Sequence, residues 1–368
     1  PLDSNITCTI VNSDQPAQLT LVKVVDANNS GSTKQPSEWT LTATPQGITG
    51  QDEVSGNGDP TSADGVNAVQ VFAGDYQLDE DGPGGFEGSL WECTGGVVNG
   101  DVVTVPNGGN VTCTITNTAV APRLTLVKQI NDPGNIGTAV PTDWTLSAQG
   151  PSPISGATGD ASVTNTAVEV GDYDLAETGP ENYTASTWTC VDAQNATVPV
   201  DGAALSLSEG QSVTCTIVNT PVPGEWAITK SSNPVSGSSV QPGDEIVYTV
   251  TLIRGAGVAP QNVALNDDLS DVLNNATLVS GPTPSTGTVS IAGTAMTWTV
   301  PLLENPIETV TYTVRVNDDA WGVTLRNAVT SPGSSPCVPA DGGGGRAAAG
   351  IAPLAAVQDV PWEDGDCP

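Results

Sequence analysis

The sequence predicts an all-β protein of tandem β-sandwich domains, and three observations carry that expectation. Runs rich in Val, Thr and Ile alternate apolar with polar side chains, the period of a half-buried strand. Clusters of Gly, Pro, Asn and Asp separate the runs, as turns separate strands. No segment shows a sustained i, i+3, i+4 apolar pattern. At 368 residues the chain has room for two or three domains with their own cores. A repeat of roughly one hundred residues favours three, set like beads on a string rather than stacked as small solenoid units.

In chain order, residues 1–13 begin with PLDSNITCTIVN, which matches NVTCTITN at 110–117 and SVTCTIVN at 212–219. A strand that closes a module elsewhere therefore stands here without its module. Either a longer array precedes it, or the strand completes a neighbouring molecule by strand addition. The chain opens at Pro1 without a methionine or signal peptide, as a mature or excised segment would. Module one, 18–119, and module two, 122–220, share LTLVK (19–23 and 124–128), a Trp-Thr-Leu strand (Trp39 and Trp144) and GDYxLxE (74–80 and 171–177). They also share Trp-x-Cys (Trp91, Cys93 and Trp188, Cys190) and a CTIxNT closer.

Module three, 224–332, keeps the strand-then-lysine start in EWAITK but has no internal cysteine. Its strands are expected at 226–230, 245–253, 261–266, 296–301, 308–317 and 323–330, giving a sandwich of a different type. Residues 333–368 hold GGGGRAAAG between Cys337 and Cys367, a flexible composition bracketed by cysteines.

Nine basic residues against 41 acidic ones, with no histidine, give a formal charge of −32. Such a field repels nucleic acid and anionic membranes, so neither is an expected partner. No apolar run reaches the roughly 18–20 residues that span a bilayer. There is no Ser-His-Asp set, no metal-ligand histidine and no phosphate loop, so no cofactor, no metal and no enzyme activity are expected. Seven cysteines without histidine point to disulfides and an oxidising compartment outside the cytoplasm. Matching positions in modules one and two pair Cys93 with Cys113 and Cys190 with Cys215. Parity pairs Cys337 with Cys367 and leaves Cys8 unpaired or intermolecular.

Period-2 alternation places polar residues on faces that ought to be core. Leu19, Leu21 and Lys23 share a face, as do Tyr76, Leu78 and Glu80, and Cys113, Ile115 and Asn117. Module two repeats the phase with Lys128, Glu177 and Asn219, and module three with Lys230, Asp267 and Asn327. Of the four lysines, at 23, 34, 128 and 230, three occupy one place in a first strand. A buried polar group needs a partner. The plainest reading is a lysine paired with its acid, or snorkelling out at a strand end. Trp39, Trp144, Trp91 and Trp188 read as core residues rather than a sugar platform. The acidic clusters Asp79-Glu80-Asp81 and Asp267-Asp268 lack the spaced ligands of a calcium loop. Sequons at Asn182 and Asn195 matter only in a host that glycosylates them.

These residues resemble a family. Modules one and two are similar to the prealbumin-like, collagen-adhesin B-type (Cna-B, SpaA-like pilin) domains of Gram-positive surface proteins. GDYDLAETGPENY resembles their YxLxET-x-P-x-GY box, and module one departs from it with Asp81 in place of the Thr. Module three resembles a related Ig-like surface repeat opening xITKxxxPxxVxPGDxIxYTVT. Where that repeat has an Asp before Leu-Pro, this chain reads Asp267-Asp268-Leu269-Ser270.

The resemblance implies a location on a bacterial cell surface, secreted or wall-associated. It also implies a spontaneous isopeptide bond in each module between the first-strand lysine and the last-strand asparagine, assisted by the buried acid. Burial disfavours both charged forms, so a neutral amine can face a protonated carboxyl that polarises the asparagine carbonyl. That is one turnover per domain, not enzymatic catalysis. The implied function is a structural stalk or fibre segment, with neighbouring modules or subunits as partners and head-to-tail assembly by strand exchange. The other reading is an adhesin whose end loops, or whose Cys337–Cys367 loop, contact a ligand.

Overall fold

The computed structural model describes residues 7–10, 15–331, 355–358 and 366–367. The fold is all-β, with one α-helical turn at Ser270–Leu273 among the described residues. No helix there is long and apolar enough to cross a membrane. Two compact units emerge. One holds the described residues up to 129 with 141–179 and 186–218; the other holds 130–140, 180–185 and the described residues from 219 onward.

In the first unit, the first strand, Ala17–Asp26, lies parallel to the closing strand, Asn110–Ala119, in register from Gln18↔Asn110 to Asp26↔Thr118. Parallel neighbours need a long crossover, and here most of the module intervenes. Phe86–Gly88 and Glu92–Thr94 pair with the other edge of the closing strand. The opposing sheet runs Val54–Asn57, Thr40–Pro45, Gly74–Asp81, Val102–Val105, Val97–Asn99. Inward residues of both sheets, among them Leu19, Leu21, Leu41, Tyr76, Leu78 and Val103, form one core. Each such large side chain contributes about 1.5–3 kcal/mol by leaving water.

A second sandwich repeats the plan. Arg123–Ile130 neighbours Ser212–Pro221 in one sheet, and Thr145–Gln149, Gly171–Thr178 and Ala204–Leu207 lie in the other. Within the first unit the two sandwiches touch. Val120 N–H donates to the Gly85 carbonyl at 2.9 Å, Gly210 N–H to the Val120 carbonyl at 2.7 Å, and Ser32 Oγ to Glu209 Oε1 at 2.6 Å. Gly85 is required there: its φ is +85°, and a Cβ would lie 2.2 Å from the Glu209 carbonyl oxygen.

Cys93 and Cys113 face one another on paired antiparallel strands and are bonded, as are Cys190 and Cys215; the Cα atoms are 4.1 Å apart in both. Cys8 is free and exposed. Residues 7–10 form no strand, since a strand needs neighbours to take up its backbone hydrogen bonds. The rest of the 1–13 segment, Cys337 and the side chain of Cys367 lie outside the described residues, and with them the expected Cys337–Cys367 bridge.

In the second unit, a sheet ordered Trp226–Asn233, Glu245–Arg254, Ile307–Val316, Ala276–Pro284 packs against one ordered Thr288–Ala292, Ala295–Leu302, Gln261–Asp268, Ala328–Thr330, Asp366–Cys367. Trp298, Tyr248, Tyr312, Ile228 and Leu265 are central to its core. Besides the two-residue Ser239–Val240, two longer strands, 276–284 and 288–292, add to those expected. Their Ser, Gly, Thr and Pro content reads as turn, and their mostly exposed side chains leave little apolar alternation to detect. The single strand expected at 323–330 is two, Thr324–Arg326 and Ala328–Thr330, in different sheets. The chain changes sheet at Asn327, which is buried.

Candidate functional site

Each sandwich places a lysine from its first strand against an acid. In the first, Lys23 Nζ donates to Glu80 Oε2 across the two facing sheets. The lysine side chain is fully buried and the glutamate's is 19% exposed. The ammonium sits 5.0 Å from the Trp39 ring centroid, a cation–π distance. Asn117 is paired with Val25, two residues beyond Lys23 on the parallel neighbour, so period 2 puts its buried side chain on the lysine's face. Its Oδ1 is buried without a hydrogen-bond donor, a deficit of about 1–3 kcal/mol. Gly88 lies opposite Asn117. A Cβ there would lie 3.2 Å from both Asn117 Oδ1 and Glu80 Oε1, so amide oxygen and carboxyl converge on one point.

In the second sandwich Lys128 Nζ donates to Glu177 Oε2, with the lysine side chain fully buried and the glutamate's 13% exposed. Its ammonium is 4.6 Å from the Trp144 ring centroid. Asn219 is buried on the closing strand, and Ala185 lies opposite it.

The third sandwich is arranged differently. Lys230 Nζ donates to Asp267 Oδ1 at 2.5 Å, and both side chains are fully buried. Tyr312 Oη donates to Asp267 Oδ2 at 2.7 Å, and Asn327 Nδ2 donates to Tyr312 Oη at 2.6 Å. Asn327 Oδ1 is buried without a donor. The rings of Tyr248 and Tyr312 stack at 5.3 Å and lie 5.4 and 5.9 Å from the Lys230 ammonium.

Burial pushes the Lys23 and Lys128 amines below the ordinary lysine range, and their hydrogen bonds and attraction to Glu80 and Glu177 offset this only in part. A depressed amine reaches its neutral, nucleophilic form at lower pH. Burial, reinforced by Asp267, pushes the Tyr312 hydroxyl well above its ordinary value.

Alternation in the sequence locates the lysines, acids and asparagines but not the side chains that surround them. Trp39 and Trp144 are core residues, as expected, and they also cover the lysine ammonium groups. The repeated glycine just after the GDYxLxE box is a usable signal. A Cβ on Gly82 or Gly179 would come within 2.3 or 2.4 Å of the indole Cδ1 of Trp39 or Trp144. Tyr312 gives no such signal, because it sits in an ordinary run of alternating Thr, Val and Tyr.

Residues 14–115 and 120–217 each match the family described as prealbumin-like fold domain, and residues 225–344 match a domain of unknown function, DUF7927. No curated protein matches the chain. Among solved structures, the major pilin from Streptococcus pyogenes is 15% identical with a TM-score of 0.27, covering 58% of this chain and 100% of its own. The Bacillus anthracis TIE protein is 10% identical with a TM-score of 0.38; the alignment covers 94% of this chain and 51% of that one. Two B repeat units of the collagen-binding protein of Staphylococcus aureus are 13% identical with a TM-score of 0.21, covering 83% of this chain and 70% of theirs.

Proposed function

The chain belongs to the prealbumin-like fold family through residues 14–115 and 120–217, and from that premise we propose that it is an extracellular stalk or fibre segment of a bacterial surface protein, cross-linked inside each module by a Lys–Asn isopeptide bond. One observation carries the reading. In all three sandwiches a lysine with a fully buried side chain donates to an acid, and a buried asparagine stands on or between the closing strands. A lone buried ion pair is a poor source of stability, because desolvation offsets its attraction. As the starting point of a covalent bond, the same arrangement makes sense.

The reaction joins Lys Nζ to Asn Cγ and breaks the Cγ–Nδ2 bond. A neutral amine and an amide become a secondary amide and ammonia, with Glu80, Glu177 or Asp267 moving the protons. The modules proposed for it are 18–119, 122–220 and 224–332. Mechanics supports the purpose. Tension enters a module at its first strand and leaves at its last, and a bond between those strands carries it past the fold. In the first sandwich the two are parallel neighbours loaded at opposite ends, so the register from Gln18 to Asp26 must shear as a block. The expected partners are further modules or subunits of the same kind.

The test is the intact mass of the denatured protein before and after reduction. Each isopeptide bond removes about 17 Da as ammonia, so three leave a deficit of about 51 Da that reduction does not restore. No surviving deficit would leave the lysines as ion pairs and overturn the reading.

A further inference from the structure

We propose that Tyr312 is a catalytic residue of bond formation in the third sandwich, its hydroxyl carrying a proton between Asp267 and the departing nitrogen of Asn327. The inference rests on the function proposed above. Both oxygens of Asp267 are engaged, Oδ1 by Lys230 and Oδ2 by Tyr312, and the Tyr312 oxygen in turn accepts from Asn327 Nδ2 at 2.6 Å. The acid therefore reaches the amide through the phenol. In the first sandwich a glutamate, one methylene longer, converges on the asparagine oxygen beside Gly88, and the aromatic side chain over the lysine is an indole. Where the acid is the shorter aspartate, a hydroxyl fills the gap.

Water is a poor substitute at this position, because Asp267, Tyr312 and Asn327 are all buried. Packing alone does not call for the hydroxyl either. A phenyl ring would stack on Tyr248 equally well, whereas a buried hydroxyl is costly unless bonded.

Lys230 passes a proton to Asp267, and its neutral nitrogen bonds to Asn327 Cγ. As the Cγ–Nδ2 bond breaks, Tyr312 gives its hydroxyl proton to the leaving nitrogen, which departs as ammonia, and regains one from Asp267; the carboxylate so freed takes the second proton that Lys230 Nζ sheds in becoming an amide N–H, and ends as the neutral acid. The raised pKa of Tyr312 fits this role. The hydroxyl does not rest as phenolate, so giving up a proton is coupled to regaining one.

The test is Tyr312→Phe in the full chain, made by cell-free synthesis under oxidising conditions and sampled with time for intact mass and for the Lys230–Asn327 cross-linked peptide. The expected result is a link that forms at least about tenfold more slowly. The early deficit then falls from about 51 to about 34 Da, while the Lys23–Asn117 and Lys128–Asn219 links form at their usual rate. An unchanged rate at Lys230–Asn327 would overturn the role of Tyr312 alone. A wild-type chain without that link would overturn both this inference and the proposed function in that sandwich. Should Tyr312→Phe fail to fold, replacing tyrosine by 3-fluorotyrosine keeps the shape and makes the hydroxyl more acidic. The pH profile of the Lys230–Asn327 link should then move while the other two stay in place, and an unmoved profile would sink the inference.

Discussion

The first and third sandwiches use the same three residue types and assemble them by different strand paths. In the first, lysine and asparagine are diagonal neighbours on parallel strands of one sheet, and the acid comes from the sheet opposite. In the third, the lysine strand pairs antiparallel with Glu245–Arg254, and the asparagine sits where the closing segment passes from one sheet to another. Sheet geometry brings the first trio together unaided. The third needs a fourth side chain, Tyr312, to connect acid and amide. The two also differ in exposure: Glu80 keeps a partly exposed edge, while Asp267 has none. A further contrast is the disulfide on the closing strand, present in the first two sandwiches and absent from the third among the described residues.

The difference in exposure sets the largest expected effect. Asp267→Ala removes the acid paired with Lys230 and leaves the charge of a fully buried amine uncompensated. Breaking a buried pair in this way costs about 3–5 kcal/mol. Glu80→Ala should cost less, because the glutamate's exposed edge lets water reach the lysine. Calorimetry of the two variants measures the order, and equal losses would erase the distinction drawn between the sites. Reduction comes next. The bridges close loops with sequence separations of 20 and 25 residues, each worth on the order of 3 kcal/mol through loop-closure entropy. Added reductant should lower the unfolding transitions of the first two sandwiches and leave the third in place; a matching fall in the third would contradict the contrast.

The smallest effect is a slope with pH, read in a chain carrying Asn117→Ala and Asn219→Ala so that neither bond can form. The folded-state pKa values of Lys23 and Lys128 lie below the unfolded lysine value of 10.5. Between the two, the unfolded chain holds more protons, so stability rises with pH. The cost of burying each ammonium is fully present below the folded value and is relieved as pH approaches 10.5. Urea denaturation across that alkaline window should show midpoints climbing with pH, and a falling midpoint would mean that the carboxylates outweigh desolvation.

Much of the site is legible in the amino-acid sequence. Lys23, Lys128 and Lys230 stand in phase with buried Leu and Ile residues, and the structure buries all three. The GDYxLxE box likewise puts Glu80 and Glu177 in phase with buried Tyr and Leu residues. Strands 276–284 and 288–292 escape such a reading because edge strands with exposed side chains carry weak alternation. The break at Asn327 escapes it because a change of sheet leaves the local pattern unaltered.

Strand phase, the inward direction of the polar residues and the modular repeat are all written in the order of the amino acids. They follow from period 2 and from turn chemistry, which act over a few residues. Which groups meet is a matter of tertiary packing. The ring of Trp39 over Lys23, the convergence of Glu80 and Asn117 beside Gly88, and the placement of Tyr312 between Asp267 and Asn327 join residues far apart in the chain. Such meetings depend on which strands become neighbours and which faces pack, and alternation within one strand carries no information about either.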